Sequence, residues 1–327
     1  MENEEIIEKK PNKFKATELL GCLLLFVTAL IWGFAFVAQS KGMESVGPYT
    51  FQSVRSFLAA VFLSPYLIIN RKKILNVQDF EGNILENPKK RRQILITGLL
   101  SIGIIFFLAS TTQQIGIVLT DSVGKAGFIT ALYIVLVPLA GIFMKKPPRW
   151  IVFLCVAAAA FGLYLLCIKK GEGFAINGGD ILIIVCAVLF SVHIILVDTF
   201  SGRINGVLIA FTQFLTVGIL CGIGMIFFEK PDLDAIKDAA MPILYAGVLS
   251  SGVGYTLQIL GQRFVEPTKA SLIMCLESVF SVLGGWLLLH QSLTLREGIG
   301  CVIMFIAILV SQIFGNKPRT AGSESKQ

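Results

Sequence analysis

The sequence predicts an all-α integral membrane protein of ten transmembrane helices, arranged as two inverted repeats of five. Three observations predict it: the composition, the succession of apolar runs, and a match between the two halves of the chain. Of 327 residues, 55% are apolar or aromatic and only 15% are charged. A soluble domain carries about a quarter charged residues. A water-soluble ball still needs polar cover on its outside, so most of this apolar surface is expected to face lipid or other helices. The composition argues against a secreted disulfide scaffold, a disordered chain and an ordinary cytosolic enzyme. The seven cysteines (Cys22, Cys155, Cys167, Cys186, Cys221, Cys275, Cys301) form no CxxC pair and fall inside apolar segments, as small buried hydrophobes do.

A spanning helix needs about 20 mostly apolar residues, and ten stretches qualify. Span 1 (18–40) follows a charged tail, 1–17, that is too polar, before a run too long, for a cleaved signal peptide. Gly47-Pro48 opens span 2 (48–69), and the loop Asn70 to Arg92 leads to span 3 (93–116). Span 4 (124–144) is parted from span 5 (150–168) by Pro147-Pro148. A glycine-rich run, Gly171 to Gly179, precedes span 6 (180–198). Span 7 (206–228) stops before Pro231, span 8 (240–261) before Pro267, and spans 9 (268–289) and 10 (297–314) complete the set. A tail, 315–327, follows.

Orientation follows from Lys and Arg on alternate sides. With the N-terminus inside, 19 basic residues fall on the cytoplasmic side and 6 outside, the other three (Arg55, Lys125, Lys269) lying within or at the start of spans. Both termini are thus expected in the cytoplasm of a cell, bacterial in source. The net charge of +7 reads mainly as this sidedness signal, with no nucleic-acid partner expected. The Asn70 to Arg92 loop, three acids among seven bases, carries much of it, with contact to anionic lipid as a further reading.

The two halves match. Ala29-x-x-Trp32-Gly33-Phe34 aligns with Ala187-x-x-Phe190-Ser191-Val192 at an offset of 158, which places Arg55 on Gln213. Gln113-x-x-Gly116 aligns with Gln258-x-x-Gly261 at 145, and Lys125-Ala126 with Lys269-Ala270, which sets Tyr133 opposite Glu277. The offset drops because the loop between spans 2 and 3 exceeds that between spans 7 and 8. The domains read as repeats 18–168 and 180–314. Five spans per repeat is odd, so the second copy enters from the opposite side, an architecture that recurs in transporters.

The strings Ala29-Leu30-Ile31-Trp32-Gly33-Phe34, Arg55-Ser56-Phe57-Leu58, Gln113-Gln114-Ile115-Gly116, the run Gly124 to Pro138, Leu276-Glu277-Ser278 and Gly284-Gly285-Trp286 recur in order. On them the chain resembles the EamA family of the drug/metabolite transporter superfamily along nearly all its hydrophobic length. The resemblance implies a ten-helix bundle with helices 1–4 and 6–9 around a central cavity and helices 5 and 10 at its edge. It further implies export or exchange of amino acids or related metabolites. One departure is His290-Gln291, where family members often carry Gly-Glu after the ninth span.

Glu277 is the sharpest candidate: ten residues into span 9, it lies about 15 Å deep at 1.5 Å per residue. An acid there costs about 2.5–3.5 kcal/mol on insertion scales and must face a cavity or a partner. It reads as a proton-coupling or substrate-amine site, or as a carboxylate tied to a neighbouring polar group. Arg55 sits about 10 Å below the outer surface; it binds a substrate carboxylate or snorkels to the headgroups. Asp121, Lys125 and Lys269, at span edges, read as interfacial anchors ahead of ligand-binding groups. His193 is a relay candidate or a histidine bonded within the bundle, and His290 is interfacial. Trp32, Phe36 and Gln39 share one face of span 1 at i, i+4, i+7. With Gln113, Tyr133, Gln213, Tyr255, Gln258 and Trp286 they form an aromatic and amide set that suits a mostly apolar pocket or plain helix packing.

Gly218-x-x-x-Gly222 in span 7 and the small residues Ala157 to Gly162 in span 5 favour close helix contacts, the latter with a second protomer as one reading. No zinc motif, phosphate-binding loop or catalytic triad spacing appears, so no cofactor, metal or catalytic residue is expected. The expected function is a secondary active transporter of small metabolites, working by alternating access with proton or exchange coupling. The alternative is a lipid scramblase or membrane enzyme using the same cavity.

Overall fold

The computed structural model describes residues 13–79, 82–119, 123–145, 147–168, 177–230, 232–289 and 294–314. Asp121, His290 and Gln291, the side chain of Lys125 and most of both tails lie outside the described residues. In chain order the helices are α1 (Lys13–Gly42), α2 (Pro48–Ile69), the single turn α3 (Arg71–Ile74), α4 (Pro88–Leu119), α5 (Val123–Ala131), α6 (Tyr133–Phe143), α7 (Trp150–Cys167) and α8 (Gly178–Ser201). There follow α9 (Gly206–Phe228), α10 (Leu233–Asp238), α11 (Ala240–Leu244), a π-helical stretch Tyr245–Gly254, α12 (Tyr255–Gln262), α13 (Pro267–Met274), α14 (Leu276–Leu289) and α15 (Leu295–Phe314). Among the described residues the only extended pairing is an isolated bridge between Gln78 and Ile84.

The chain is an all-helical membrane protein. By length and composition, seven described helical segments can cross a bilayer: Ala16–Gln39, Pro48–Ile69, Pro88–Leu119, Ala126–Phe143, Gly178–Ser201, Gly206–Phe228 and Ala240–Gln262. The sequence led us to expect ten. Of the other three, α7 offers a shorter apolar stretch, Trp150–Leu166. The ninth expected span is divided into α13 and α14 at Cys275, and α15 opens on Arg296 and Glu297.

Helix starts follow local chemistry. The helix expected from residue 93 begins at Pro88, because Asn87 Oδ1 accepts from the backbone N–H groups of Lys89 and Lys90 (3.1 and 3.2 Å). Asn177 and Asp180 form a reciprocal capping box on α8, and Asn205 caps α9. The cap of α2 comes from far away. Glu229, at the end of α9, accepts from the N–H groups of Tyr49 and Thr50 (both 2.8 Å) and from Thr50 Oγ1 (2.6 Å). A carboxylate on a helix N-terminus meets both the orphan donors and the positive end of the dipole.

Packing joins early and late helices: α4 on α8, α2 on α9, α7 on α15, and α1 on both the Ala240–Gln262 segment and α14. Small residues set the closest approaches. A Cβ on Gly162 of α7 would lie 2.8 Å from the Gly300 carbonyl of α15, and one on Gly300 would lie 2.6 Å from the Gly162 carbonyl. The small-residue stretch of α7 thus meets α15 of the same chain at Gly162. Residues 75–79 and 82–87, expected as part of a charged loop, instead lie as a strap over the ends of later helices. Val77 is fully buried in a cluster with Leu63, Ile94, Ile102, Val197, Ile204, Ile209 and Ile259. Gln78 anchors the strap: its N–H donates to the Arg203 carbonyl (2.9 Å), and its side-chain carbonyl accepts from Arg263 (3.2 Å).

Candidate functional site

One face of α1 begins the site, since the i, i+4, i+7 spacing of Trp32, Phe36 and Gln39 brings them to a single stripe, and all three line a central cavity with Ala35. The π-helical stretch sits against that stripe. Trp32 Nε1 donates to the Ser250 carbonyl (3.3 Å), Thr28 Oγ1 to the Gly254 carbonyl (3.2 Å) and Tyr245 OH back to the Ile31 carbonyl (3.0 Å). A π turn loosens the regular i→i−4 ladder, and here two of its carbonyls accept from side chains of α1. The Trp32 and Tyr255 rings then pack at 4.4 Å between centroids.

Opposite α1, Arg55 of α2, Gln113 of α4, Phe190 and Ile194 of α8, Ser250, and Tyr255 and Gln258 of α12 complete the walls. Two helix breaks form the rest. Thr130 and Tyr133 flank Leu132, between α5 and α6, and Met274 and Glu277 flank Cys275, between α13 and α14. The recess, counted with the open solvent at its mouth, encloses about 580 Å³.

Five pairs matched between the halves by sequence line this one cavity: Trp32 with Phe190, Phe36 with Ile194, Gln113 with Gln258, Thr130 with Met274, and Tyr133 with Glu277. The last pair touch. Tyr133 OH donates to Glu277 Oε1 at 3.2 Å, with both side chains buried. Gly33 makes this geometry accessible, because a Cβ there would lie 2.3 Å from Phe280 Cβ and 2.9 Å from the Glu277 carbonyl.

The two charged groups are held differently. Glu277 has Tyr133 on Oε1, and among the described residues no basic side chain pairs with it. Arg55 is 4% exposed. Its Nε donates to Gln52 Oε1, whose amide nitrogen donates to the Ser110 carbonyl of α4 at 2.9 Å. The guanidinium carbon lies 5.7 Å from the Phe51 ring centroid, an arrangement that favours a cation. No carboxylate reaches it among the described residues. A buried guanidinium and a buried carboxyl group therefore border one cavity, and among the described residues neither has an ionic partner.

Nine of the twelve candidates line this cavity: Trp32, Phe36, Gln39, Arg55, Gln113, Tyr133, Tyr255, Gln258 and Glu277. His193 and Gln213 stand behind it, bonded to each other at 3.1 Å beneath Phe106. Trp286 is half exposed on α14, away from the cavity lining. Lys269 is 2% exposed and pairs with Glu18 of α1 at 2.9 Å. The sequence reading did not single out Ala35, Thr130, Ile194, Ser250 or Met274, and it used Phe190 only to align the halves. The repeat itself carried a signal for Phe190 and Ile194, at the positions matching Trp32 and Phe36. Ser250 had none, since a π turn leaves no mark in hydropathy. Among the described residues, no cluster of three His, Cys, Asp or Glu side chains is placed to hold a metal.

A model of the EamA-like transporter family matches residues 19–168 and again residues 177–312. An uncharacterized transporter of Archaeoglobus fulgidus is 27% identical over 298 residues, covering 89% of this chain and 85% of its own length. An uncharacterized transporter of Bacillus subtilis, YoaV, is 20% identical over 285 residues, covering 86% of this chain and 93% of its own. A solved crystal structure superposes with a TM-score of 0.73 at 16% identity, over 92% of this chain and 98% of that one. At that identity the likeness concerns the fold alone.

Proposed function

The chain belongs to the EamA-like transporter family and is a membrane transporter, and from that premise we propose that it carries small zwitterionic metabolites, amino acids or close relatives, by alternating access. The observation that supports this reading is that Arg55 and Glu277 face one cavity with no ionic partner among the described residues. A substrate carboxylate answers the guanidinium and a substrate ammonium answers the carboxylate. The apolar remainder of the substrate packs among Trp32, Phe36, Phe190 and Tyr255. An uncompensated charge inside a membrane protein is costly, so a ligand bearing both opposite charges relieves two costs at once.

The architecture belongs to the same proposal. Ten crossings as two inverted repeats, with both termini in the cytoplasm of a cell membrane, agree with the basic-residue asymmetry. They agree also with a packing pattern that maps onto itself when the halves are exchanged: α4 with α8 becomes the Ala240–Gln262 segment with α1. In such a frame the central site stays put while the halves rock about it. Glu277 is the proposed coupling acid, taking up a proton when the ammonium leaves.

Purified protein in proteoliposomes tests the function. Uptake and efflux are measured for a panel of amino acids, nucleosides and sugars, with and without a pH gradient. Selective flux of amino acids is expected. Absence of flux for every solute, beside rapid flipping of labelled lipid, would transfer the assignment to a scramblase.

A further inference from the structure

Arg55 can serve a substrate carboxylate only if its free edge faces the cavity, and one residue outside the cavity lining fixes which edge that is. Gln52 precedes Arg55 by three positions on α2, so the two side chains lie on one helix face. It is 1% exposed. Its carbonyl oxygen accepts from Arg55 Nε while its amide nitrogen is held by the Ser110 carbonyl of α4 at 2.9 Å. This second bond also fixes which end of the amide is oxygen, because a flipped Gln52 would set two donors against Arg55 and a carbonyl against a carbonyl. Among the described residues, the one hydrogen bond that Arg55 makes is that from Nε. With Nε occupied, the remaining bidentate face of the guanidinium is the one carrying the two terminal nitrogens.

We propose that Gln52 is a positioning residue for substrate selection: braced by α4, it turns the terminal edge of Arg55 into the cavity so that a substrate carboxylate binds through both its oxygens. The proposal rests on the zwitterion reading and adds a consequence that reading lacks. Loss of Gln52 should cost recognition of the carboxylate alone, although Gln52 never touches substrate. Lys cannot replace Arg55 here, since an ammonium is a point charge without a planar fork.

The test uses competition against exchange of tracer leucine in proteoliposomes, comparing leucine with its decarboxylated amine, isoamylamine. The readout is the ratio of their inhibition constants in wild type, Arg55→Gln, Gln52→Met and Gln52→Glu. Met keeps the approximate volume of Gln without its hydrogen bonds, and Glu keeps the acceptor while neutralising the guanidinium. Wild type should prefer leucine, and Arg55→Gln should bring the ratio near unity. Gln52→Met should lower it about tenfold, the scale of one bond to a charged group, leaving isoamylamine affinity unchanged, and Gln52→Glu should abolish the preference. Either variant that is recovered folded decides the matter by its ratio. If Arg55→Gln removes the preference while the Gln52 variants keep it, or if they weaken both ligands equally, the positioning role is wrong. If wild type does not bind leucine, or Arg55→Gln keeps the preference, the underlying zwitterion reading is wrong instead.

Discussion

A carboxylate deep in a membrane bundle persists only where something answers its charge, and among the described residues Glu277 has one side-chain donor, the Tyr133 hydroxyl. Removal of that donor in Tyr133→Phe should leave the helices intact and weaken proton-coupled flux by about 10- to 100-fold, the range of one hydrogen bond to a charged group. Glu277→Gln should abolish substrate-driven proton movement altogether while sparing substrate exchange to a greater degree. A pH-sensitive dye trapped in proteoliposomes reads both, and unchanged proton movement in Glu277→Gln would remove the coupling role. The candidacy of Glu277 was legible in the sequence because acids inside apolar runs are rare. Its partner was legible only as a repeat-matched position, since the alignment set Tyr133 opposite Glu277 without saying that matched residues near an axis between the halves come into contact. Trp286 shows the converse: an aromatic in a well-matched string lies half exposed on α14, because hydropathy does not distinguish the cavity face of a membrane helix from its outer face.

Helix contacts in this chain are set by glycines whose substitution has different consequences in different places. Gly300→Ala, with its Cβ 2.6 Å from the Gly162 carbonyl, should destabilise by about 1–3 kcal/mol, as overpacking does. It should lower the thermal midpoint in detergent and leave the substrate KM unchanged, because neither α7 nor α15 lines the cavity. Gly33→Ala presses on Phe280 and on the Glu277 backbone, so it should raise KM as well. Equal effects of the two on KM would contradict this division of labour. The strap offers a third case. Val77→Asp places a charge in a buried cluster and should unfold the strap or the protein, whereas the same change at the half-buried, already polar Asn76 should be tolerated. The helices themselves could be read from apolar runs. The breaks at Leu132 and Cys275, the π turn and the docking of the strap could not, because each depends on side chains and carbonyls brought together from distant parts of the chain.

Over the whole molecule, composition and the internal match carried the class of the protein, since no soluble arrangement hides this much apolar surface. They could not settle the number of crossings by themselves: seven described segments qualify by length and composition, and the others are shortened, divided or led by charges. The same excess of apolar residues that marks the membrane makes its few buried charges informative, and it is on Arg55 and Glu277 that the functional account stands. The most direct measurement is uptake of labelled leucine into proteoliposomes in competition with its two single-charge analogues, isoamylamine and 4-methylpentanoate, in wild type, Arg55→Gln and Glu277→Gln. The account predicts that wild type prefers the zwitterion to both, that Arg55→Gln loses its discrimination against the amine, and that Glu277→Gln loses its discrimination against the acid. Discrimination that survives in both variants, or that both abolish for both analogues alike, would contradict it.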